Sequence, residues 1–452
     1  MSDLVPYRRV HVIGAGGSGM SGLAKLLVQC GHQVTGSDLK PGPMLAALDR
    51  AGADTWVGHR PDIVVKADLV VASSAVPEHD REVVAAREAG IDVWERPRLL
   101  AAITDRLATI GVTGTHGKTT SSAMAVTALR SLGRDPSFMV GGRLIDLNTN
   151  AHLGEEGLFV LEADEAFGTF LSLTLDGLLI TNIEADHLDH YGTVENMESA
   201  FAEVASGVSG PVLVCLDDPG VRRLAAGNEA VIGYGTAHDA RWRMTGIEHR
   251  DGGVGFALSG ETEIDMWIPK PGQHVARNAA GVVALLAECG FDPGAVAEGL
   301  RDFAGVRRRF EVRSRRAGIT LVDDYAHHPS EVAATLDAAR SSHPGRIVVV
   351  FQPHRFTRTE EHGAALGRAL SVADRVFVSD VYAAGEAPIP GVSGRSVLDG
   401  VSDSTRATYL PRRGDIAATV AGEIKRGDYV LLLGAGDIVQ LADELTPLLA
   451  DA

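Results

Sequence analysis

Apolar runs that end in glycine or acid and then open into amphipathic helices recur along this chain, and that rhythm constrains its fold more than any other feature. RRVHVIG leads into GSGMSGLAKLLVQCG, LATIGV into the helix after GTHGKTT, RIVVVF into QPHRFTRTEEHGAALGRAL, and YVLLLG into AGDIVQLADEL. A strand that returns through a helix to another strand must run parallel to it. The alternation therefore predicts parallel sheets covered by helices, an α/β fold. At 452 residues the chain exceeds what one core holds. The rhythm restarts at TDRLATIGVTG and again after GVRRRFEVRS, which predicts three α/β domains at 1–105, 106–307 and 308–452. Residues 211–270 read as short strands broken by glycine and charge, and a helix is expected from His274 to about Cys289.

The formal net charge of −17 argues against a general nucleic-acid binder. Cys30, Cys215 and Cys289 lie far apart without metal-like spacing, which suits a reducing compartment. The start, MSDLVPYRRVHVIG, carries no apolar signal segment, and no run of about 18 apolar residues appears. The expectation is a soluble, cytoplasmic protein with no membrane insertion.

In open parallel sheets ligands bind beyond the carboxyl ends of the strands, where this chain's unusual polar clusters fall. The first is Gly14-Ala-Gly16-Gly17-Ser18-Gly19, a GxGxxG turn between strand and helix, with Asp38 closing the next strand at the distance of a ribose contact. It fits a dinucleotide, as in an NAD(P)-dependent oxidoreductase. It fits equally any diphosphate at a helix N-terminus. The second cluster is Thr113-Gly114-Thr115-His116-Gly117-Lys118-Thr119-Thr120. It is a variant phosphate loop: Val112, not glycine, stands five before Gly117. Its backbone N–H groups and Lys118 can cradle phosphates, and the Thr119 hydroxyl can bind Mg²⁺. Beyond it, VLEADEAF places Glu162, Asp164 and Glu165 at one strand end. TNIEADHLDHYG places Glu184, Asp186, His187, Asp189 and His190 at the next. Oxygen ligands and a histidine beside a phosphate loop are what a phosphoryl-transfer site needs.

GTHGKTT, TNIEADHLDHYG, RRRFE, DDYAHHPSE, FQPHRFTRT and YAAGEAPIPGVSG, in that order, resemble the Mur ligase family over essentially the whole chain. The resemblance implies a Rossmann-like first domain, a P-loop ATPase-like central domain and a Rossmann-like C-terminal domain. It implies ATP-dependent amide formation through an acyl phosphate in peptidoglycan synthesis. GAGGSGMSG and the pair QPHRFTRT and YAAGEAPIPG are similar to the branch that adds L-alanine to UDP-N-acetylmuramate. The tripeptide-recycling branch is the alternative. These small molecules, with ATP and Mg²⁺, would be the partners of a monomer or weak homodimer that binds no nucleic acid.

By the same resemblance the UDP-sugar would lie on Gly14, Gly16, Gly17, Ser18, Gly19, Met20, Ser21, Asp38, Ser73 and Ser74. ATP would lie on Gly114, Thr115, His116, Gly117, Lys118, Thr119, Thr120, Asn278, Arg308 and Arg309. Thr119, Glu162 and His187 would hold metal, and Tyr325, His327, His354, Arg355 and Arg358 would face the amino acid. Lys118, Glu162, His187, His327 and Arg355 would be catalytic. Three departures stand out. Ala166 and Phe167 replace the family's polar Ser-Asp pair after the first acids, and His274-Val275 stands where the family has His-Asn. No lysine occurs between Lys118 and Lys270, so the carbamylated lysine that several family members use near the metals is impossible here.

Overall fold

Five short parallel strands make the first sheet, in the order β3-β2-β1-β4-β5: β1 (Arg9–Ile13), β2 (Gln33–Asp38), β3 (Asp54–Val57), β4 (Leu69–Ala72) and β5 (Asp92–Glu95). The order reverses between β1 and β4, and a crevice opens at such a switch point. The structure, a computed structural model, describes residues 4–449.

The second sheet contains β6 (Ala108–Thr113), β7 (Ser137–Leu144), β8 (Thr149–His152), β9 (Leu158–Glu162), β10 (Gly177–Ile180), β11 (Val212–Cys215), β12 (Val231–Gly235), β13 (Trp242–Arg250), β14 (Gly253–Ser259) and β15 (Glu263–Ile268). Its order is β15-β14-β13-β12-β11-β10-β6-β9-β7-β8. The central strand β6 pairs in parallel with β9 on one side and β10 on the other. The two acidic strand ends therefore flank the phosphate loop.

The third sheet runs β16-β17-β21-β18-β19-β20: β16 (Glu311–Arg316), β17 (Ile319–Asp324), β18 (Ile347–Phe351), β19 (Arg375–Ser379), β20 (Ala407–Leu410) and β21 (Tyr429–Leu433). All pairs are parallel except the edge strand β16, which runs antiparallel to β17. The central strands IVVVF and YVLLL are fully buried, as expected where helices cover both faces. The expected helix near His274 spans Gln273–Glu288.

Contacts group the chain into two compact units. One runs to Thr245 and adds Ala257–Met266 and Arg277–Phe303; the other holds Gly246–Phe256, Trp267–Ala276 and the residues from Ala304. Within the first unit one apolar core crosses from the first sheet into the second. Leu23 and Leu27, on the helix after β1, share it with Met139, Ala151, Phe159 and Leu161. Each buried Leu, Met or Phe side chain there contributes about 1.5–3 kcal/mol relative to exposure.

Candidate active site

β6 is buried along most of its length and delivers Gly114 between the ends of β9 and β10. Gly114 has φ +124°, and a Cβ there would stand 2.2 Å from Thr181 Oγ1 and 2.8 Å from the Asn182 carbonyl oxygen. No other residue fits. The segment after β10 then laces the loop. Thr115 N–H donates to the Asn182 carbonyl at 3.0 Å, and His116 N–H donates to Asn182 Oδ1 at 2.8 Å. Thr181 Oγ1 and Asn182 Nδ2 both donate to the His116 carbonyl, at 2.6 and 2.9 Å. The Thr115 hydroxyl exchanges bonds with Glu184, accepting from its N–H at 2.9 Å and donating to its carbonyl at 3.1 Å.

Gly114→Ala is expected to lower stability by about 2–4 kcal/mol, since it adds both overpacking and a strained φ. The urea midpoint reads this, and an unchanged midpoint would show that Thr181 yields.

The helix Lys118–Ser131 follows, with no acid in its first turn. Its leading N–H groups lack helical partners and face an anion favourably. Lys118 Nζ donates to Glu165 Oε2 at 2.7 Å and Oε1 at 2.9 Å, and to the carbonyls of Gly114 at 2.8 Å and Thr115 at 3.2 Å. Asp164 Oδ1 lies 3.6 Å away. Burial alone would push the Lys118 pKa down, but the Glu165 and Asp164 carboxylates outweigh it and the net shift is upward. Lys118 stays an ammonium. Burial raises the Glu165 carboxyl against the pull of Lys118, so Glu165 is the partner that yields as acid is added.

Thr119, one residue on, donates through Oγ1 to Glu162 Oε1 at 3.0 Å. The other Glu162 oxygen accepts from Gly141 N–H at 2.5 Å, which fixes the carboxylate against the helix start. A hydroxyl and a carboxylate oxygen held together are hard donors of the kind Mg²⁺ takes. His187, with φ +52°, brings Nε2 to 3.9 Å from Glu165 Oε1 and from Asp186 Oδ2. His116 Nε2 lies 3.3 Å from Glu184 Oε2. Asn278 rests on the loop from the helix after the second sheet: a Cβ on Gly117 would stand 2.8 Å from its Oδ1. The Asp189 side chain lies outside the described residues. The departure at Ala166-Phe167 makes a short turn over Ala166–Ser172, broken by positive φ at Phe167 and Gly168. Phe167 is 63% exposed, beside the His190 ring at 6.1 Å.

At the first switch point, Gly14 and Ala15 donate N–H groups to the Ser37 carbonyl, each at 2.9 Å. Asp38 Oδ2 accepts from Gly16 N–H at 2.9 Å. Gly17 caps the helix Ser18–Gln29, which carries Ser18, Gly19, Met20 and Ser21 in its first turn. Ser73 and Ser74 follow β4, with Ser73 Cβ 3.0 Å from the place of a Cβ on Gly14. The glycine-rich loop, Asp38 and Ser73 thus share one strand-end crevice.

In the second unit, Tyr325 and His327 follow β17, and His354 and Arg355 follow β18. The His327 and His354 rings stand 5.8 Å apart, and His354 lies parallel to Tyr382 at 5.7 Å. Burial lowers the His327 pKa. Burial, then His327 and the nearby arginines, lowers His354 to about 4, so both rings are neutral at pH 7. Arg308, at φ +61°, donates to the carbonyls of Gly434 at 2.6 Å and Gly436 at 3.2 Å, so its guanidinium closes the loop after β21. Arg308 and Arg309 both lie 4.9 Å from the Tyr325 ring. His328 caps the helix Pro329–Ser342 in a reciprocal capping box with Glu331. Arg358 sits in the first turn of the helix Phe356–Leu370.

Three family models match in sequence: the Mur ligase family catalytic domain over 9–107, the Mur ligase middle domain over 112–286, and the Mur ligase glutamate ligase domain over 308–436. The chain belongs to the Mur ligase family. It is 43% identical to the UDP-N-acetylmuramate–L-alanine ligase of Mycolicibacterium vanbaalenii, over 97% of this chain and 95% of that one. It is 40% identical to the protein of the same name from Solidesulfovibrio magneticus, over 96% of each. The solved UDP-N-acetylmuramate–alanine ligase of Thermotoga maritima superimposes with a TM-score of 0.84 at 27% identity, over 97% of this chain and 98% of that one. A murein peptide ligase from Psychrobacter arcticus shares the fold, with a TM-score of 0.71 at 23% identity over 98% and 99%.

Sequence reasoning gave no role to Thr181 and Asn182, which brace the loop, nor to Glu386, which accepts from the N-terminus of the helix Phe356–Leu370. It placed Glu165 among the loop acids without seeing that it takes the Lys118 charge. Position at a strand end was the available signal for Asn182 and Glu165.

Proposed function

We propose that this chain joins L-alanine to the lactyl carboxylate of UDP-N-acetylmuramate, consuming ATP and releasing ADP and phosphate. One observation carries the ligase chemistry: the ammonium of Lys118, the Thr119 hydroxyl and the Glu162 carboxylate meet at the start of one helix, on a loop braced from both neighbouring strands. The full-length identity to alanine-adding relatives supports the substrate pair. It also disfavours a nicotinamide reading of the first glycine loop.

The reaction needs activation because a carboxylate does not react with an amine at neutral pH. The γ-phosphoryl group of ATP passes to a lactyl carboxylate oxygen, ADP leaves, and an acyl phosphate forms. The neutral amine of alanine attacks the acyl carbon. The tetrahedral intermediate expels phosphate as the C–O bond breaks, and the amine loses its proton. The loop from Gly114 to Thr120 and Asn278 bind the nucleotide, with Arg309 and Arg308 from the C-terminal domain. Lys118 stabilises charge on the transferring phosphoryl group. Thr119 and Glu162 would hold one Mg²⁺ and His187 would help hold a second, and when bound these ions neutralise charge on the phosphate oxygens. The crevice of Gly14 to Ser21, Asp38, Ser73 and Ser74 takes the uridine diphosphate. Tyr325, His327, His354, Arg355 and Arg358 receive alanine, an arginine gripping its carboxylate through two parallel hydrogen bonds.

On this reading the domains are 1–105, 106–307 and 308–452, and the work is cytoplasmic. No helix among the described residues is long and apolar enough to cross a membrane. The test is phosphate release from ATP by the purified protein with Mg²⁺ and UDP-N-acetylmuramate, with and without L-alanine. Release that requires both substrates is the expected result. AMP and pyrophosphate would mean adenylation and would sink the acyl-phosphate route. Turnover with a tripeptide but not with alanine would move the chain to the recycling branch.

A further inference from the structure

Arg355 is held in a way its own sequence neighbourhood does not explain. Its φ is +70°, a left-handed backbone uncommon for a side-chain-bearing residue, directly before the helix Phe356–Leu370. Four bonds secure that backbone, one of them from Thr359 N–H to the Arg355 carbonyl at 3.1 Å. Arg355 N–H donates to the Tyr382 carbonyl at 2.9 Å, Tyr382 N–H donates to the Pro353 carbonyl at 2.8 Å, and Thr359 Oγ1 donates to the Arg355 carbonyl at 2.7 Å. The segment 353–355 is thus laid alongside the loop that starts at Tyr382. That loop turns at once: Ala384 and Gly385 both have positive φ, at +50° and +94°, and Glu386 N–H closes the turn on the Ala383 carbonyl at 2.9 Å. The turn sends the Glu386 side chain back to the helix. Its oxygens accept from Thr357 N–H at 3.1 Å and Thr357 Oγ1 at 2.8 Å, and Oε1 lies 3.3 Å from Arg355 Nε. Burial pushes the Glu386 pKa up, but the Thr357 bonds and the Arg355 charge outweigh it and hold it below the usual carboxylate range.

We infer that Glu386 is a positioning residue for the amino-acid substrate: it clamps the guanidinium of Arg355 at the Nε edge so that the arginine meets the alanine carboxylate in a fixed orientation. The inference rests on the proposed role of Arg355 above. A guanidinium can make two parallel bonds along either its Nε edge or its Nη1–Nη2 edge, and an anionic partner at Nε leaves the Nη1–Nη2 edge for the alanine carboxylate. Glu386 is itself held by the N–H and hydroxyl of Thr357 at the helix start, where an anion is favoured. The orientation is therefore set by the fold and not by the ligand.

The experiment measures steady-state constants for each substrate in Glu386→Gln, Thr357→Val and Arg355→Lys, with thermal midpoints as the folding control. Glu386→Gln is expected to raise KM for L-alanine by about three- to fivefold, the size of a partly exposed ion pair. KM for ATP and for the UDP-sugar should stay within about twofold, because neither meets Arg355 through this clamp. Thr357→Val, which keeps the charge but loosens its seat, should raise KM for alanine by less. An unchanged or lower KM for alanine in Glu386→Gln, with Arg355→Lys still impaired, would overturn the clamp and leave the arginine's role standing. If Arg355→Lys also leaves alanine KM unchanged, the reading of Arg355 itself is wrong. Equal rises in all three KM values would mark Glu386 as structural and overturn the inference.

Discussion

Lys118→Ala is expected to reduce ligation by about 10³-fold or more while UDP-sugar affinity survives. The ammonium touches the phosphate loop's own carbonyls and both oxygens of Glu165, so no neighbouring cation can replace it. A preorganised charge on a transferring phosphoryl group is worth several kcal/mol, which is where the expected factor comes from. The substitution has a second effect that must be separated from the first. It leaves Glu165, whose side chain is 2% exposed, without its counter-ion. Breaking a buried pair from one side costs about 3–5 kcal/mol. The double variant Lys118→Ala/Glu165→Gln removes both charges and should recover much of that stability. Turnover should not recover with it. Ligation regained in the double variant would show that the lysine serves folding alone.

Glu82→Ala should carry the other large effect, this time on folding. Glu82 is 0% exposed in the first domain, and its carboxylate gathers four groups. Ser37 Oγ donates to it at 2.5 Å, Arg60 N–H at 2.7 Å and Trp56 Nε1 at 3.4 Å, while His11 Nε2 lies at 3.4 Å and stacks on Trp56 at 5.2 Å. Asp80 caps its helix by accepting from Glu82 N–H at 2.8 Å. Burial pushes the Glu82 pKa up, yet the bonds from His11, Ser37 and Arg60 bring it to about 2, against 4.5 for a free glutamate. Truncation orphans several buried donors at once, and a loss of about 3–5 kcal/mol in urea unfolding at pH 7 is expected. The sign of the pH dependence follows from the depressed pKa. The ionised carboxylate's contribution, on the order of 3 kcal/mol, is complete above pH 4.5 and is lost as pH falls through about 2. Glu82→Gln should flatten the stability curve in that window. Equal midpoints for wild type and Glu82→Ala at pH 7 would mean the network bears no load.

The phosphate loop was legible in the sequence because its chemistry fixes residue types at short spacing: a glycine that must accept φ +124°, a lysine, a hydroxyl, then a helix. The acids of EADE and TNIEADH were legible because they end apolar strands. Glu82 was not, since REVVAARE reads as an ordinary amphipathic helix and the His11 partner lies 71 positions away. Lys118 and Glu165 are 47 apart, and Thr357 and Glu386 are 29 apart. Such pairs are made by strand order, which no local pattern records. The four-residue strands β3, β5 and β20 were invisible for a related reason. They lie at sheet edges, are partly exposed, and lack both an apolar run and clean alternation. Rhythm exposed the buried centres of the sheets and hid their margins.

The bracing of the phosphate loop by Thr181 and Asn182 bears on how a nucleotide is received. Fixing one residue's backbone costs about 1–2 kcal/mol in lost freedom. Here the fold has already met that cost for Thr115 and His116, whose N–H groups are bound to Asn182. The incoming phosphates meet a rigid seat at the first turn of the helix Lys118–Ser131 and need not immobilise the loop themselves. Binding energy otherwise spent on ordering is left for aligning the γ-phosphoryl group with its acceptor oxygen.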